Sequence, residues 1–415
     1  MEPLLQNLFV PGWVEAHLGP CTTVDHLRYK PGQSVLGRVH RSSVETGDTT
    51  STTGPPAPGW FSVRTAAHRA KAEKTCARAR AAGIAVHRAD LPDGGLLTTG
   101  PIGADRRLGG ALRQAGLVAA DGTVRGRVLN YNPGRRLVVE AGSHPDPAVP
   151  PGEVWRTWAT PPGTVAAVCD LALRVPVVLA SRPVAAATVA VPRVFGGDLA
   201  DHLCAGTAPT DWPVRVAAAA ADLHAARPTD LLAASVPSSD RATVREALVA
   251  VGRTLGVVCP EAHQEYGDLA AAVLDALGPD FDGDTVLLHG DLSADQVLGW
   301  GPGTDPDAVR LIDLDRLRWG PAGYDLGCFR AVELLSGRGN HGADRFLEAY
   351  ASTTGSSVAR PGAWTAFHVL LRVLDPFRAA DPDHPHGIAE RLALAALCLD
   401  EDRHRSVAAR TRVGV

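Results

Sequence analysis

One methionine, few lysines and no long apolar run characterise this 415-residue chain. No stretch approaches the roughly 18 apolar residues that a membrane-spanning helix needs. The N-terminus carries neither a basic opening segment nor a long hydrophobic core, so neither a signal peptide nor a transmembrane helix is expected. The seven cysteines are dispersed, odd in number and without a C-x-x-C pair. Such a set predicts reduced thiols in a cytoplasmic protein, not a zinc site or a disulfide framework. The formal net charge of -4 gives no general case for nucleic-acid binding. Other chemistries lack their motifs: there is no G-x-S-x-G elbow, no H-E-x-x-H and no EF-hand loop. The phosphate loop G-x-x-x-x-G-K-[ST] does not occur. The abundant Ala, Arg, Gly and Pro fit a GC-rich coding sequence better than any function. Length alone suggests two or three domains, or one bilobal enzyme with an addition.

Against these absences one pair of segments stands out. His289-Gly290-Asp291-Leu292-Ser293-Ala294-Asp295-Gln296 places an acid and an amide five residues apart. Leu311-Ile312-Asp313-Leu314-Asp315 follows, with Asp313 lying 22 residues after Asp291 at the end of an apolar run. Phosphoryl transfer from ATP needs this set. One carboxylate receives the acceptor hydroxyl's proton, and an amide oxygen with a second carboxylate holds Mg²⁺ against the phosphates. The spacing matches the protein-kinase catalytic loop H-R-D-x-x-x-x-N followed by D-F-G, with Gly290 for Arg and Gln296 for Asn.

The segment resembles the aminoglycoside phosphotransferase/choline kinase superfamily, whose loop reads H-G-D-x-x-x-x-N and whose metal motif reads I-D-x-[DE]. The run Gly320-Pro321-Ala322-Gly323-Tyr324-Asp325-Leu326-Gly327 is similar to that family's G-D-P-x-x-D-L-[AG] element, without its first Asp and with Asp325 retained. The resemblance covers roughly 123–400. It implies an α+β, bilobal protein-kinase-like fold, with a small β-rich N-lobe and a helical C-lobe. It also implies ATP as phosphoryl donor (GTP not excluded), Mg²⁺, and a small-molecule acceptor of antibiotic, sugar or amino-alcohol type in a cleft of C-lobe helices. No nucleic-acid or membrane partner is implied, and the oligomeric state stays open. Maltokinase-like members also carry Gln at the position of Gln296, which points to a bacterial subgroup in which that change is tolerated.

An internal repeat organises the rest. Residues 26–36 echo residues 127–139, each as strand, Pro-Gly turn and strand. A Trp-bearing strand follows each copy, near 60–63 and 154–158, and then an Ala-rich helix, near 67–82 and 162–174. Kinase N-lobes begin in that order, so two N-lobe-like units are expected. The division is 1–122 for the first unit, 123–191 for the kinase N-lobe and 192–415 for the helical C-lobe. The first unit is either a substrate-facing subdomain or a brace. Segments 41–59 and 142–153 read as loops, 191–199 as the interlobe hinge and 299–303 as a hairpin tip. Helices are predicted over 211–226, 240–255, 324–336, 342–352, 363–375 and 387–400.

Within this frame Asp291 is the candidate catalytic residue, against the plainer reading of a turn-capping carboxylate. Asp313 and Gln296 are the candidate Mg²⁺ ligands; Gln supplies the amide oxygen one methylene further out than Asn. His289 and Asp325 are expected to tie the loop together. Asp315 is open between ligand and solvated turn, and Asp295 is expected to face water. For the nucleotide, Arg135 or Arg136 beside the Pro-Gly turn is expected to reach phosphates, against two solvated arginines. Arg156 stands where the phosphate-binding Lys belongs, with Asp170 as the nearby acid for its partner; Arg and Lys differ in reach and donor geometry. His384-Pro385-His386 reads as a solvated Pro/Asp loop, and 399–405 as a mixed-charge helix end. A second reading, a pseudokinase or kinase-like binding subunit, follows from the missing Lys and from Gln296.

Overall fold

The computed structural model describes residues 7–41, 58–141, 152–194, 196–300, 309–338, 340–356 and 359–413. Most of the loops predicted at 41–59 and 142–153, Phe195 in the hinge, and the end of the 299–303 tip lie outside the described residues.

Two Pro-Gly turns start the two halves of the β-rich region. Gly32 (φ 65°) and Gly134 (φ 67°) take the left-handed conformation that a residue without Cβ adopts at low cost. In each turn a backbone N–H closes back three residues, Gln33 to Lys30 and Arg135 to Asn132, both at 3.0 Å. The flanking strands then grow into sheets. The first contains β1 (Thr22–Lys30), β2 (Ser34–Arg41), β3 (Gly59–Arg64), β4 (His87–Asp90) and β5 (Leu96–Pro101). The second contains β6 (Arg127–Asn132), β7 (Arg136–Glu140), β8 (Glu153–Trp158), β9 (Arg182–Ala185) and β10 (Thr188–Pro192). Their orders are β1-β2-β3-β5-β4 and β6-β7-β8-β10-β9, the same path twice. In each a helix joins the third and fourth strands, Arg69–Ala81 and Val165–Ala172. The weak sequence echo is thus a repeated topology.

Side chains on both faces of the first sheet pack into cores. Trp60 packs with Leu108, Leu112, Tyr131, Leu137 and Trp155 against the second sheet. Leu27, Val35, Phe61 and Val63 join the helical core around Trp364, Phe367 and Phe377. Asp105 fastens the two units: it accepts the Tyr131 hydroxyl at 2.8 Å and the Gly134 N–H at 2.6 Å.

Residues 199–413 are mostly helical, with the long helices Trp212–His224, Arg241–Val258, His263–Leu277, Gly323–Leu335, Asn340–Thr354, Pro361–Leu371 and His384–Val413. The fold is therefore α+β and bilobal, sheets first and helices after. Helix starts follow their caps: Asp240 accepts the Thr243 N–H at 2.8 Å, and Asp198 accepts that of Asp201 at 2.8 Å. Helix His263–Leu277 and strands β4, β5, β9 and β10 carry no signal singled out above; the strands are four to six residues long and partly polar. His384-Pro385-His386 forms the first turn of the last helix and not a loop. None of the described helices is long and apolar enough to cross a membrane. All seven cysteines are free.

Candidate active site

The apolar strand Val286–Leu288 pairs with Arg318–Gly320 and delivers the catalytic-type loop. Gly290 has φ 83°, and a Cβ there would lie 2.1 Å from the Arg316 carbonyl oxygen, so only glycine fits. Asp325, fully buried, accepts the backbone N–H groups of His289 at 2.6 Å and Gly290 at 2.8 Å, and His224 Nε2 at 3.1 Å. Burial alone would raise the Asp325 carboxyl, but His224, His289 and the Gly290 N–H outweigh it and hold it below the usual range. His289 Nε2 lies 2.7 Å from the Ile312 carbonyl, and its Nδ1 accepts the Asp291 N–H at 3.3 Å. The tautomer with a proton on Nε2 satisfies both contacts. His289 and Asp325 thus take the loop-fixing places expected of them.

Asp291 meets two arginines that sequence inspection passed over. Its Oδ1 accepts Arg372 Nη2 at 2.8 Å, and its Oδ2 lies 3.1 Å from Arg316 Nη1. A charge just past the apolar helix Pro361–Leu371 was the available signal for Arg372. Its side chain is only 18% exposed. Burial opposes its charge, while Cys328, Asp291 and Asp375 raise its pKa. Burial pushes the Cys328 thiol up to about 12, with Arg372 opposing, so this cysteine is no nucleophile at neutral pH.

The two candidate metal ligands meet through a two-residue ladder. Val297 pairs with Leu311, and the Ile312 N–H donates to the Gln296 carbonyl at 3.0 Å, which brings Gln296 beside Asp313. Asp313 has φ 64°, an uncommon conformation for a residue with a side chain and one frequent at functional sites. Gln296 Nε2 donates to Asp295 at 2.7 Å, which leaves its Oε1 to face elsewhere. Asp313 accepts Arg136 Nη1 and, at 2.6 Å, Arg156 Nη2. Asp315 accepts the same two arginines at 2.9 Å each and Trp158 Nε1 at 2.7 Å. Arg156 also lies over the Trp158 ring, 5.3 Å from its centroid. Burial would raise Asp313, but Arg156 and Arg136 outweigh it and hold the carboxyl at about 2.

A depressed acid stabilises the fold above its unfolded pKa and loses that contribution as pH falls through the folded value. For Asp313 the window therefore runs from about pH 4 down to about pH 2. Asp313→Asn is expected to lower stability by up to about 2 kcal/mol at pH 7, and the gap should close as urea melts are repeated toward pH 2. A gap independent of pH would show that the arginines do not act through this charge.

Between the second sheet and the helical region lies a cleft of about 600 Å³. Val138, Val154, Val189 and Leu298 supply apolar lining, and Arg136, Arg156, Gln296 and Asp313 supply polar lining. The buried Thr164 hydroxyl also lines it and has no hydrogen-bond partner within the protein. A mostly apolar cleft of this size with a few convergent polar groups is the form of a small-molecule site.

Two nucleotide candidates do not join this cleft. Asp170 bonds Arg174 Nη2 at 2.9 Å and the Thr229 hydroxyl at 3.3 Å, not Arg156. The reason is helical rotation: Val168 faces the cleft, and two residues further on is about 200° around the helix. Arg156's acids are Asp313 and Asp315 instead. Arg135 lines a different cavity: it closes the turn, its N–H on the Asn132 carbonyl, while Arg136, the first residue of β7, takes the cleft. The chain's only lysines, Lys30, Lys71 and Lys74, all belong to the first unit, so no lysine replaces Arg156 on β8.

Residues 160–366 match the model of the phosphotransferase enzyme family. That stretch, nearly half of the chain, is similar to members of that family. No curated protein matches the sequence. Solved structures with likeness to it include a choline/ethanolamine kinase family protein from Mesorhizobium loti, at 16% identity and TM-score 0.47, covering 63% of this chain and 84% of that one. An ethanolamine kinase from Plasmodium vivax has 12% identity and TM-score 0.48, covering 66% and 82%. A macrolide 2'-phosphotransferase from Brachybacterium faecium has 19% identity and TM-score 0.44, covering 68% and 95%.

Phosphotransferase chemistry asks whether a divalent metal would fit. Among the described residues no group of three or more His, Cys, Asp and Glu is placed to hold a metal alone. Mg²⁺ does not need one: it takes one or two protein oxygens and fills its octahedron with phosphate and water. The Asp313 carboxylate and the Gln296 amide oxygen are such a pair. Arg136 and Arg156 now engage Asp313, and phosphates would give those guanidinium groups an equally good partner.

Proposed function

We propose that this protein is an ATP- and Mg²⁺-dependent phosphotransferase acting on a hydroxyl of a small molecule. The observation that carries the reading is the convergence of Gln296, Asp313, Arg136 and Arg156 around one cleft, from segments up to 177 residues apart, with Asp291 on the loop that delivers Gln296. The division near residues 122 and 191 is part of this proposal.

In this reading the apolar lining takes the base of the nucleotide, and Arg136 and Arg156 release Asp313 and bind phosphate oxygens. Mg²⁺, held by Asp313 and Gln296, would neutralise charge developing on the transferred phosphoryl group. Asp291 orients the acceptor hydroxyl and receives its proton. Arg372 and Arg316 hold the Asp291 carboxylate in place. A weak base suffices, because a loose transition state leaves little charge to be removed from the nucleophile. Arg156→Ala is expected to raise KM for ATP about tenfold to a hundredfold, the worth of one or two charge-assisted hydrogen bonds. Unchanged ATP saturation would remove Arg156 from the phosphate site. Gln296→Asn tests the metal loop. A rise in Mg²⁺ affinity means the longer side chain weakens the site, and loss of activity means the loop is built around Gln.

The arginines on Asp313 also favour a second reading, a kinase-like binding subunit whose metal site is closed by its own ion pairs. ADP formation with a panel of sugar, aminoglycoside and amino-alcohol acceptors, with and without Mg²⁺, separates the two. Acceptor-stimulated, Mg²⁺-dependent ADP release supports the enzyme. ATP binding without any release supports the subunit.

A further inference from the structure

A second cavity, of about 620 Å³, opens on the other side of the Tyr131–Gly134 turn. Seven arginines and two lysines line it, against one acid, Asp105. Asp105 offsets them only in part and pairs with none of their guanidinium groups: its Oδ2 is taken by Tyr131 and Gly134, and its Oδ1 by the Arg107 and Leu108 N–H groups at 2.8 and 3.2 Å. Among the described residues, the cavity arginines found in ion pairs are Arg316 with Asp291 and Arg378 with Asp375. Arg28 bonds only the Pro133 carbonyl, at 3.1 Å, and Arg107 the Thr160 hydroxyl, at 3.4 Å. Partial burial and the neighbouring Arg135 and Arg107 push Arg28 down to about 10. Like charges gathered with too few counter-charges oppose folding, so their place calls for an occupant that supplies the anions.

The cavity is also built, and not just a charged surface. The Ser62 hydroxyl lines it, only 6% of that residue is exposed, and the group has no partner. The Asn132 Oδ1, from another lining residue, is likewise buried and unpartnered. A break in the β1–β2 register between Asp25 and Arg28 sets His26, at φ 51°, and Arg28 on its wall. Such bulges re-aim side chains. Arg316 belongs to this wall and touches Asp291, so the cavity reaches the candidate catalytic carboxylate through one residue.

We propose that this cavity is the acceptor subsite and that the acceptor carries two or more oxyanion groups, phosphate or carboxylate, bound by Arg28, Arg107 and Arg135. The inference rests on the phosphotransferase reading above. It gives the first repeat unit a role: its β1–β2 hairpin is the wall that recognises the acceptor. Forked guanidinium donors match carboxylate and phosphate oxygens better than any neutral hydroxyl array does.

The test is calorimetric titration of the full-length protein at fixed ionic strength with fructose 1,6-bisphosphate and with citrate, one probe for each oxyanion. At least one is expected to bind at one site per chain. Arg28→Ala and Arg135→Ala should each weaken it tenfold or more, while Arg156→Ala in the nucleotide cleft changes it less than about threefold, since one charge-assisted hydrogen bond is worth about tenfold or more. Which probe binds identifies the oxyanion. Melting temperatures should be equal or higher in Arg28→Ala and Arg135→Ala, because each removes an uncompensated charge. Lack of binding by both probes, or equal weakening by Arg156→Ala, overturns the proposal. Failure of ATP and Mg²⁺ to bind is read separately, by thermal stability with both ligands present, and counts against the nucleotide reading alone.

Discussion

Asp291→Asn is expected to lower kcat by about 10²–10⁴-fold, the usual contribution of a positioned general base. Stabilisation by ATP and Mg²⁺ together should survive it. Asp291 does not line the nucleotide cleft, and its contacts are Arg372, Arg316, the edge of Cys328 and its own loop. Asparagine keeps the volume and one oxygen for Arg372, so the fold is retained and the charge and proton acceptor are lost. Asp291→Ala would confound these effects, because it leaves Arg372 without its closest acid partner. Turnover by Asp291→Asn within about threefold of wild type would place the proton acceptor elsewhere.

Asp325→Ala is expected to cost about 3–5 kcal/mol, the penalty for stranding the partners of a buried charge. No atom of Asp325 is exposed, and two backbone N–H groups and His224 converge on it. Removing it unpairs the amides of His289 and Gly290 together and frees the loop that carries Asp291. Asp325 is a positioning residue, so its loss should also lower kcat in whatever fraction remains folded, with little change in KM for ATP. Asp325→Asn separates charge from shape: its amide would point a donor at an existing donor, and most of the penalty should persist. A loss below about 1 kcal/mol in urea melts would mean that water replaces the carboxylate at no great cost.

The local features were readable from sequence because their physics is local. The loop from His289 to Gln296 and the Asp313 motif sit at fixed spacings, and the Pro-Gly turns announced both sheets. The missed features depend on residues far apart in the chain. Nothing near Asp313 foretells Arg136, 177 residues away, nor does Asp291 point to Arg372, 81 residues away. Asp170 was misplaced by helical phase and Arg135 by its place in the turn before β7, errors of direction made at the right positions. The sequence of the first repeat showed that a second sheet exists. Its cationic wall appeared only when Arg28, Arg107 and Arg135 were brought together by a turn that Asp105 pins across the two units.

The most direct test of the nucleotide–metal site is thermal stability with ATP alone, Mg²⁺ alone and both, for wild type and Asp313→Ala. At about 100 times the dissociation constant a ligand of the folded state adds about 2.7 kcal/mol. The expected result is a clear upward shift in wild type that requires both ligands and is lost in Asp313→Ala. A wild type that melts at the same temperature under all conditions would contradict the assignment of this cleft to a nucleotide.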